Sequence, residues 1–218
     1  MAGRNFHPHI RETRKERTTG KPRSANEWAT WKESSPFIPD SRRALRATLE
    51  DESHDNRRQA IQYILLHELG HVLSVAGNFH PDWNLPPPGD LQVGRYPFFD
   101  ISWTVDAARS RVVNRFDGAL PEAKDTVYYF GAKLPAAQMA AAYEHLKLTP
   151  FPTLYAVTHY GDDFAESFAN YVHVVLMKRP WEITVRHDGE RVTRMGACWD
   201  EARCADKRRM LEAIVKSP

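Results

Sequence analysis

The chain has 218 residues, 42% of them hydrophobic and 27% charged, which suffices for one ample domain and argues against global disorder. With 30 basic and 28 acidic residues the formal charge is +2, so no general affinity for nucleic acid is implied. Its apolar runs, such as those at 64–66 and 174–177, are far too short to span a bilayer. Two cysteines exclude a disulfide-dense scaffold and an all-cysteine zinc site.

Residues 1–23 carry seven Lys/Arg and two Glu. With almost no apolar periodicity, residues 1–25 read as a flexible basic arm and 26–218 as a single domain. No apolar stretch of signal-peptide length follows the early charges. The segment 26–40 reads as an irregular lead-in holding Trp28 and Trp31, and 41–50 as a short helix capped by Ser41. A longer helix is expected over 55–76, where Ala60, Ile61, Ile64, Leu65, Leu69, Val72, Leu73 and Ala76 follow a helical period, with Gly77 as its C-cap. Residues 78–98 form a proline-rich loop of a length often found at substrate rims. Strand-like runs follow at 98–105, 111–116 and, more weakly, 126–130. Helices are expected at 135–147 and 163–177, the second with Phe164, Phe168, Val172 and Val175 on its core stripe. Asp188-Gly189 marks a hairpin between 183–187 and 191–194, and a helix over 200–216 closes the chain.

The strongest chemical signal is His67-Glu68-Leu69-Gly70-His71. On a helix, positions i and i+4 stack on one face, so both imidazoles can reach one metal ion, with Glu68 placed to take a proton from a metal-bound water. Gly70 costs about 1 kcal/mol in a helix interior, and a close backbone approach by a strand or a substrate would explain it.

A catalytic zinc ion needs three protein ligands and an open position. His80 is one candidate for the third, although its spacing departs by three residues from the metzincin pattern. The other lies between Tyr155 and Phe168, where Asp162 and Glu166 are four apart and project from one helix face. One could ligate while the other orients an imidazole. A competing reading takes Asp163-Phe-Ala-Glu166 as a capping box. His159 and His173 read as packing or helix-edge residues, Asn170 as a surface amide, and Tyr160 as the fallback for Tyr155. Cys198 and Cys204 suit either a short disulfide or free thiols.

Tyr155, Thr158, Asp162 and Phe164-Ala165-Glu166, together with the His67–His71 motif, resemble the gluzincin zinc peptidases typified by the catalytic domain of anthrax lethal factor. The resemblance covers under a fifth of the chain. It implies Zn2+ held by His67, His71 and Asp162, Glu68 as general base, Tyr155 as donor to the developing oxyanion, and Glu166 behind a ligand. Two departures matter. The family's ligand is Glu, so Glu166 stays an alternative to Asp162, and 90 residues separate His71 from Asp162.

The resulting expectation is a small α+β zincin-like domain, mostly helical with a small sheet, hydrolysing peptide or protein substrates. Two alternatives stand beside it: a zinc-stabilised binding or inhibitory module, and a zinc amidase acting on cell-wall peptide. Secreted relatives and a possible Cys198–Cys204 bridge favour a secreted or periplasmic setting, against which stands the lack of a visible signal peptide.

Overall fold

The computed structural model describes residues 22–81, 95–106, 108 and 111–216. Most of the expected basic arm (1–21) and of the proline loop (82–94) lies outside the described residues. What is described is mixed helix and small sheets, an α+β arrangement.

Helix α1 spans Ala25–Ser34, where an irregular lead-in is expected. Ser24 Oγ accepts from the Glu27 amide at 3.1 Å, and the Glu27 carboxylate accepts from the Arg23 amide at 2.7 Å. Such side-chain caps satisfy donors that a helix start leaves open. Strand β1 (Phe37–Ile38) then pairs in parallel with β5 (Leu134–Pro135).

The helix expected over 41–50 is instead strand β2 (Arg43–Thr48). Leu45 and Ala47 turn inward while Ala44 and Arg46 face out, the period of two that a half-buried strand requires. β2 pairs antiparallel with β6 (Glu182–His187), which pairs with β7 (Glu190–Gly196), giving the order β2-β6-β7. Asp188 and Gly189 both adopt positive φ, 50° and 84°, as a two-residue hairpin turn demands.

Helix α2 (Arg57–Ala76) is capped by Asn56 Oδ1 on the Arg58 amide at 3.0 Å and ends at Gly77. Its helical period is as expected, but the buried face is not. Ala60, Tyr63, His67, Gly70 and Ser74 face inward, whereas Ile61, Leu65, Leu69, Val72 and Val75 are exposed, Leu65 by 62% and Val72 by 64%.

Between 98 and 105 a helical turn, α3 (Phe99–Ser102), precedes the short strand β3 (Trp103–Asp106), which pairs with β4 (Arg111–Asn114). No strand forms at 126–130: Tyr129 (φ 69°) and Gly131 (φ 89°) take left-handed conformations that break an extended run. Helix α4 (Met139–Leu146) follows a 3-10 turn. Helix α5 (Tyr160–Tyr171) starts three residues before its expected position and continues as a π-helical turn to Leu176. Helix α6 (Ala205–Lys216) ends the described chain.

α5 contributes to two cores. One gathers Tyr63, Tyr143, Leu146, Phe151, Leu154 and Ile183. The other gathers Phe98, Phe164, Phe168, Trp199 and Leu211 with Cys198 and Cys204, which are joined in a disulfide. Phe164 and Phe168 are buried as the stripe predicts. Asn170 is fully buried rather than a surface amide, accepting from Trp199 Nε1 at 2.8 Å and donating toward the Tyr63 hydroxyl at 3.4 Å. His173 packs inward, its Nε2 2.7 Å from the Leu49 carbonyl.

Candidate metal centre

The crossing of α2 and α5 explains Gly70. A Cβ at that position would stand 2.7 Å from Ala165 Cα, closer than carbon atoms approach, so only glycine lets the two backbones touch. The close approach is made by a helix, α5. That contact lies between His67 and His71 on one side and between Asp162 and Glu166 on the other. It therefore brings the two motifs, 90 residues apart in sequence, onto one site.

His67, His71 and Asp162 each offer one ligand atom, and these atoms lie within 4.8 Å of one another. The two imidazole Nε2 atoms are 3.0 Å apart. Asp162 Oδ1 stands 3.6 Å from His71 Nε2 and 3.9 Å from His67 Nε2. Bonds of about 2.0–2.1 Å in a tetrahedron imply ligand separations of about 3.3 Å, so two imidazoles and a carboxylate at these distances fit a zinc ion. Asp162 Oδ2 is occupied: it accepts from Thr158 Oγ1 at 3.1 Å, leaving Oδ1 for the histidines.

Glu166, the alternative ligand, is placed elsewhere. Its Oε1 lies 2.9 Å from His67 Nδ1, bent away from a linear hydrogen bond, and accepts from Lys32 Nζ at 2.7 Å. Its Oε2 accepts from Thr153 Oγ1 at 2.8 Å. Glu166 therefore sits behind His67, on the ring nitrogen opposite the one facing His71 and Asp162. The capping-box reading also gives way. α5 begins at Tyr160, its cap is His159 Nδ1 on the Gly161 amide at 3.1 Å, and Asp163 lies in the first turn, buried against Lys207 Nζ at 2.5 Å.

His80 does not join the three. It is buried, with Nε2 2.8 Å from Ser74 Oγ and Nδ1 2.7 Å from the Pro81 carbonyl. Tyr155 stacks on His67, centroids 5.5 Å apart at 25°, and meets the Tyr129 ring edge-on, centroids 6.2 Å apart at 90°. Tyr160, its fallback, packs among His80, Phe99 and Trp103. Glu68 is exposed on α2.

The electrostatics suit a cation. Burial, then the neighbouring His67 and His80, hold His71 down to about 4, so its lone pair is available at neutral pH. Burial pushes Asp162 up to about 6 against the pull of His67 and the Thr158 bond. Burial would raise Glu166 too, but the Lys32 charge and the His67 contact reverse this and hold it well below the usual carboxylate range. Burial and the Asp162 charge keep the Tyr155 hydroxyl protonated well above its ordinary range, so it remains a donor.

Lys32, Thr153 and Tyr129 escape a sequence reading of the site. The Ser24-x-x-Glu27 spacing signals α1, but nothing in the sequence aims Lys32 at a residue on α5. Set against protein-family models, curated proteins and solved structures, the chain matches none.

Proposed function

We propose that this chain is a zinc-dependent metallopeptidase with a zincin-like domain of gluzincin type, cleaving peptide bonds in peptide or protein substrates. The observation that carries the reading is the convergence of His67, His71 and Asp162 across the α2–α5 crossing. The resemblance of the Tyr155–Glu166 segment to gluzincins supports it. Zinc held by His67, His71 and Asp162 would supply Lewis acidity to the substrate carbonyl and to water. Glu68, between the two histidines and open to solvent, takes the proton from the attacking water at its carboxylate and returns it to the leaving amine. Tyr155, protonated and stacked on His67, donates to the oxyanion as the carbonyl becomes tetrahedral. Glu166, with Oε1 2.9 Å from His67 Nδ1, lies against that ring nitrogen and so directs Nε2 into the site.

Glu68→Gln tests this. The variant is expected to bind zinc as the wild type does and to lose hydrolysis of a fluorogenic peptide library by at least about a hundredfold. Undiminished turnover would sink the mechanism.

One observation favours a second reading, a zinc-stabilised binding or inhibitory module. The solvent face of α2 carries the exposed apolar residues Ile61, Leu65, Leu69, Val72 and Val75, and exposed apolar patches often mark association surfaces. Chelation separates the two. A structural zinc ion would take the fold with it, whereas a catalytic one would leave the circular dichroism spectrum folded. Among the described residues no helix is long and apolar enough to cross a membrane.

A further inference from the structure

Helix α1 delivers a buried cation to the back of the site. Lys32 is 6% exposed. Its Nζ lies 2.7 Å from Glu166 Oε1, the oxygen that stands 2.9 Å from His67 Nδ1. The ammonium also lies over the Tyr155 ring at 4.9 Å from its centroid, and 5.7 Å from the centroids of Trp28 and Tyr63. Lys32 thus touches both groups that pack on His67: the carboxylate at its Nδ1 and the phenol stacked on its face.

A second carboxylate shares this space. Glu33 is 3.8 Å from Lys32 Nζ and accepts from the Tyr143 hydroxyl at 3.0 Å. Lys32 nevertheless makes its short contact with Glu166, not with its chain neighbour. A buried carboxylate without a paired cation is costly, and a carboxylate has two rotatable oxygens. Held by Lys32 on one oxygen and Thr153 on the other, Glu166 has one orientation left, and that orientation presents Oε1 to His67.

We infer that Lys32 is a positioning residue for the metal site: it locks Glu166 against His67, so that the imidazole turns Nε2 toward His71 and Asp162. The first helix is then part of the site, although it supplies no ligand. This inference rests on the metal-site reading above.

The test is zinc affinity of the full chain, measured by competition with a chromophoric chelator. It compares the wild type, Lys32→Met, Glu166→Gln and the double variant. Tyr143→Phe is the control, since it disturbs the same buried cluster through Glu33 without touching Glu166. Removing a group that orients a ligand typically weakens metal affinity about 10–100-fold. Lys32→Met is expected to lose that much, Tyr143→Phe to lose nothing, and the double variant to bind no more weakly than Glu166→Gln alone. A folded Lys32→Met that binds zinc like the wild type overturns the inference. So does a double variant whose loss is the product of the two single losses. Should Lys32→Met fail to fold, Glu166→Gln and the double variant decide, because the double variant leaves no lone charge on either partner. Equal affinities support the inference, and a further tenfold loss in the double variant overturns it. A wild type that binds no zinc would instead overturn the metal reading itself.

Discussion

Helix α5 carries two buried lysine–carboxylate pairs, and they behave differently. Asp163 meets Lys207 Nζ at 2.5 Å and accepts from Trp103 Nε1 at 3.1 Å. Lys207 lies against the rings of Phe98 and Phe151, 5.3 and 4.8 Å from their centroids. Here burial outweighs attraction: it pushes Asp163 up and Lys207 down, each toward its neutral form. One turn along the helix, Glu166 is held low and Lys32 high despite equal depth. Both groups of that pair have further polar neighbours, Glu33 3.8 Å from the lysine and His67 2.9 Å from the carboxylate. A pair drawn toward its neutral forms joins secondary elements. A pair that stays ionised beside an imidazole also orients that imidazole. The comparison separates fold from site within a single helix.

The largest effect expected from this contrast is on stability. Removing one partner of a buried ion pair costs about 3–5 kcal/mol, so Asp163→Ala and Lys207→Ala should each lower the thermal midpoint sharply. The fraction that still folds should bind zinc as tightly as the wild type. A zinc affinity that falls with Lys207→Ala would erase the distinction between the two pairs.

Next comes the pH dependence of the cluster around Lys32. Burial, opposed by the Lys32 charge, raises Glu33 to about 7. Between the ordinary carboxylate range and pH 7 the folded chain therefore holds a proton that the unfolded chain releases. Stability contributed by this group falls as pH rises through that window, by about 3 kcal/mol if each pKa unit is worth about 1.4 kcal/mol. Urea melts at pH 5 and pH 8 should show the loss in the wild type and a smaller one in Glu33→Gln. Identical slopes in the two proteins would contradict the buried, protonated Glu33.

A smaller effect is expected at the helix crossing. Gly70→Ala forces a Cβ onto Ala165 and should cost about 1–3 kcal/mol as overpacking. It should also weaken zinc binding, because it separates α2 from α5. Gly118→Ala, with nothing within 4 Å of its added Cβ, is the control. Zinc affinity unchanged in Gly70→Ala would mean that the crossing distance does not set the site.

Much of the site is legible in sequence because it is local. The i, i+4 spacing of His67 and His71 needs only a helix, and that helix ends at Gly77 as its sequence implies. Asp162 and Glu166 fall on one face of α5 for the same reason. What eludes the sequence is non-local. The residues of β2 have helix-forming composition, yet their pairing with β6, more than 130 residues away, decides their conformation. The apolar residues of α2 suggest a buried stripe, but the helix turns Gly70 and the histidines inward, because α5 can approach closely only there. Asp163 resembles a cap until His159 is seen to cap the helix one turn earlier. Lys32 comes from a segment with no chemical signature, and only the tertiary fold brings it to Glu166.

The most direct measurement is zinc stoichiometry of the purified chain, for wild type beside His67→Ala, His71→Ala, Asp162→Ala and Glu166→Gln. One zinc per wild-type chain is expected, abolished by each of the first three substitutions and only weakened by Glu166→Gln. No stoichiometric zinc in the wild type after reconstitution, or full occupancy in Asp162→Ala, would contradict the account.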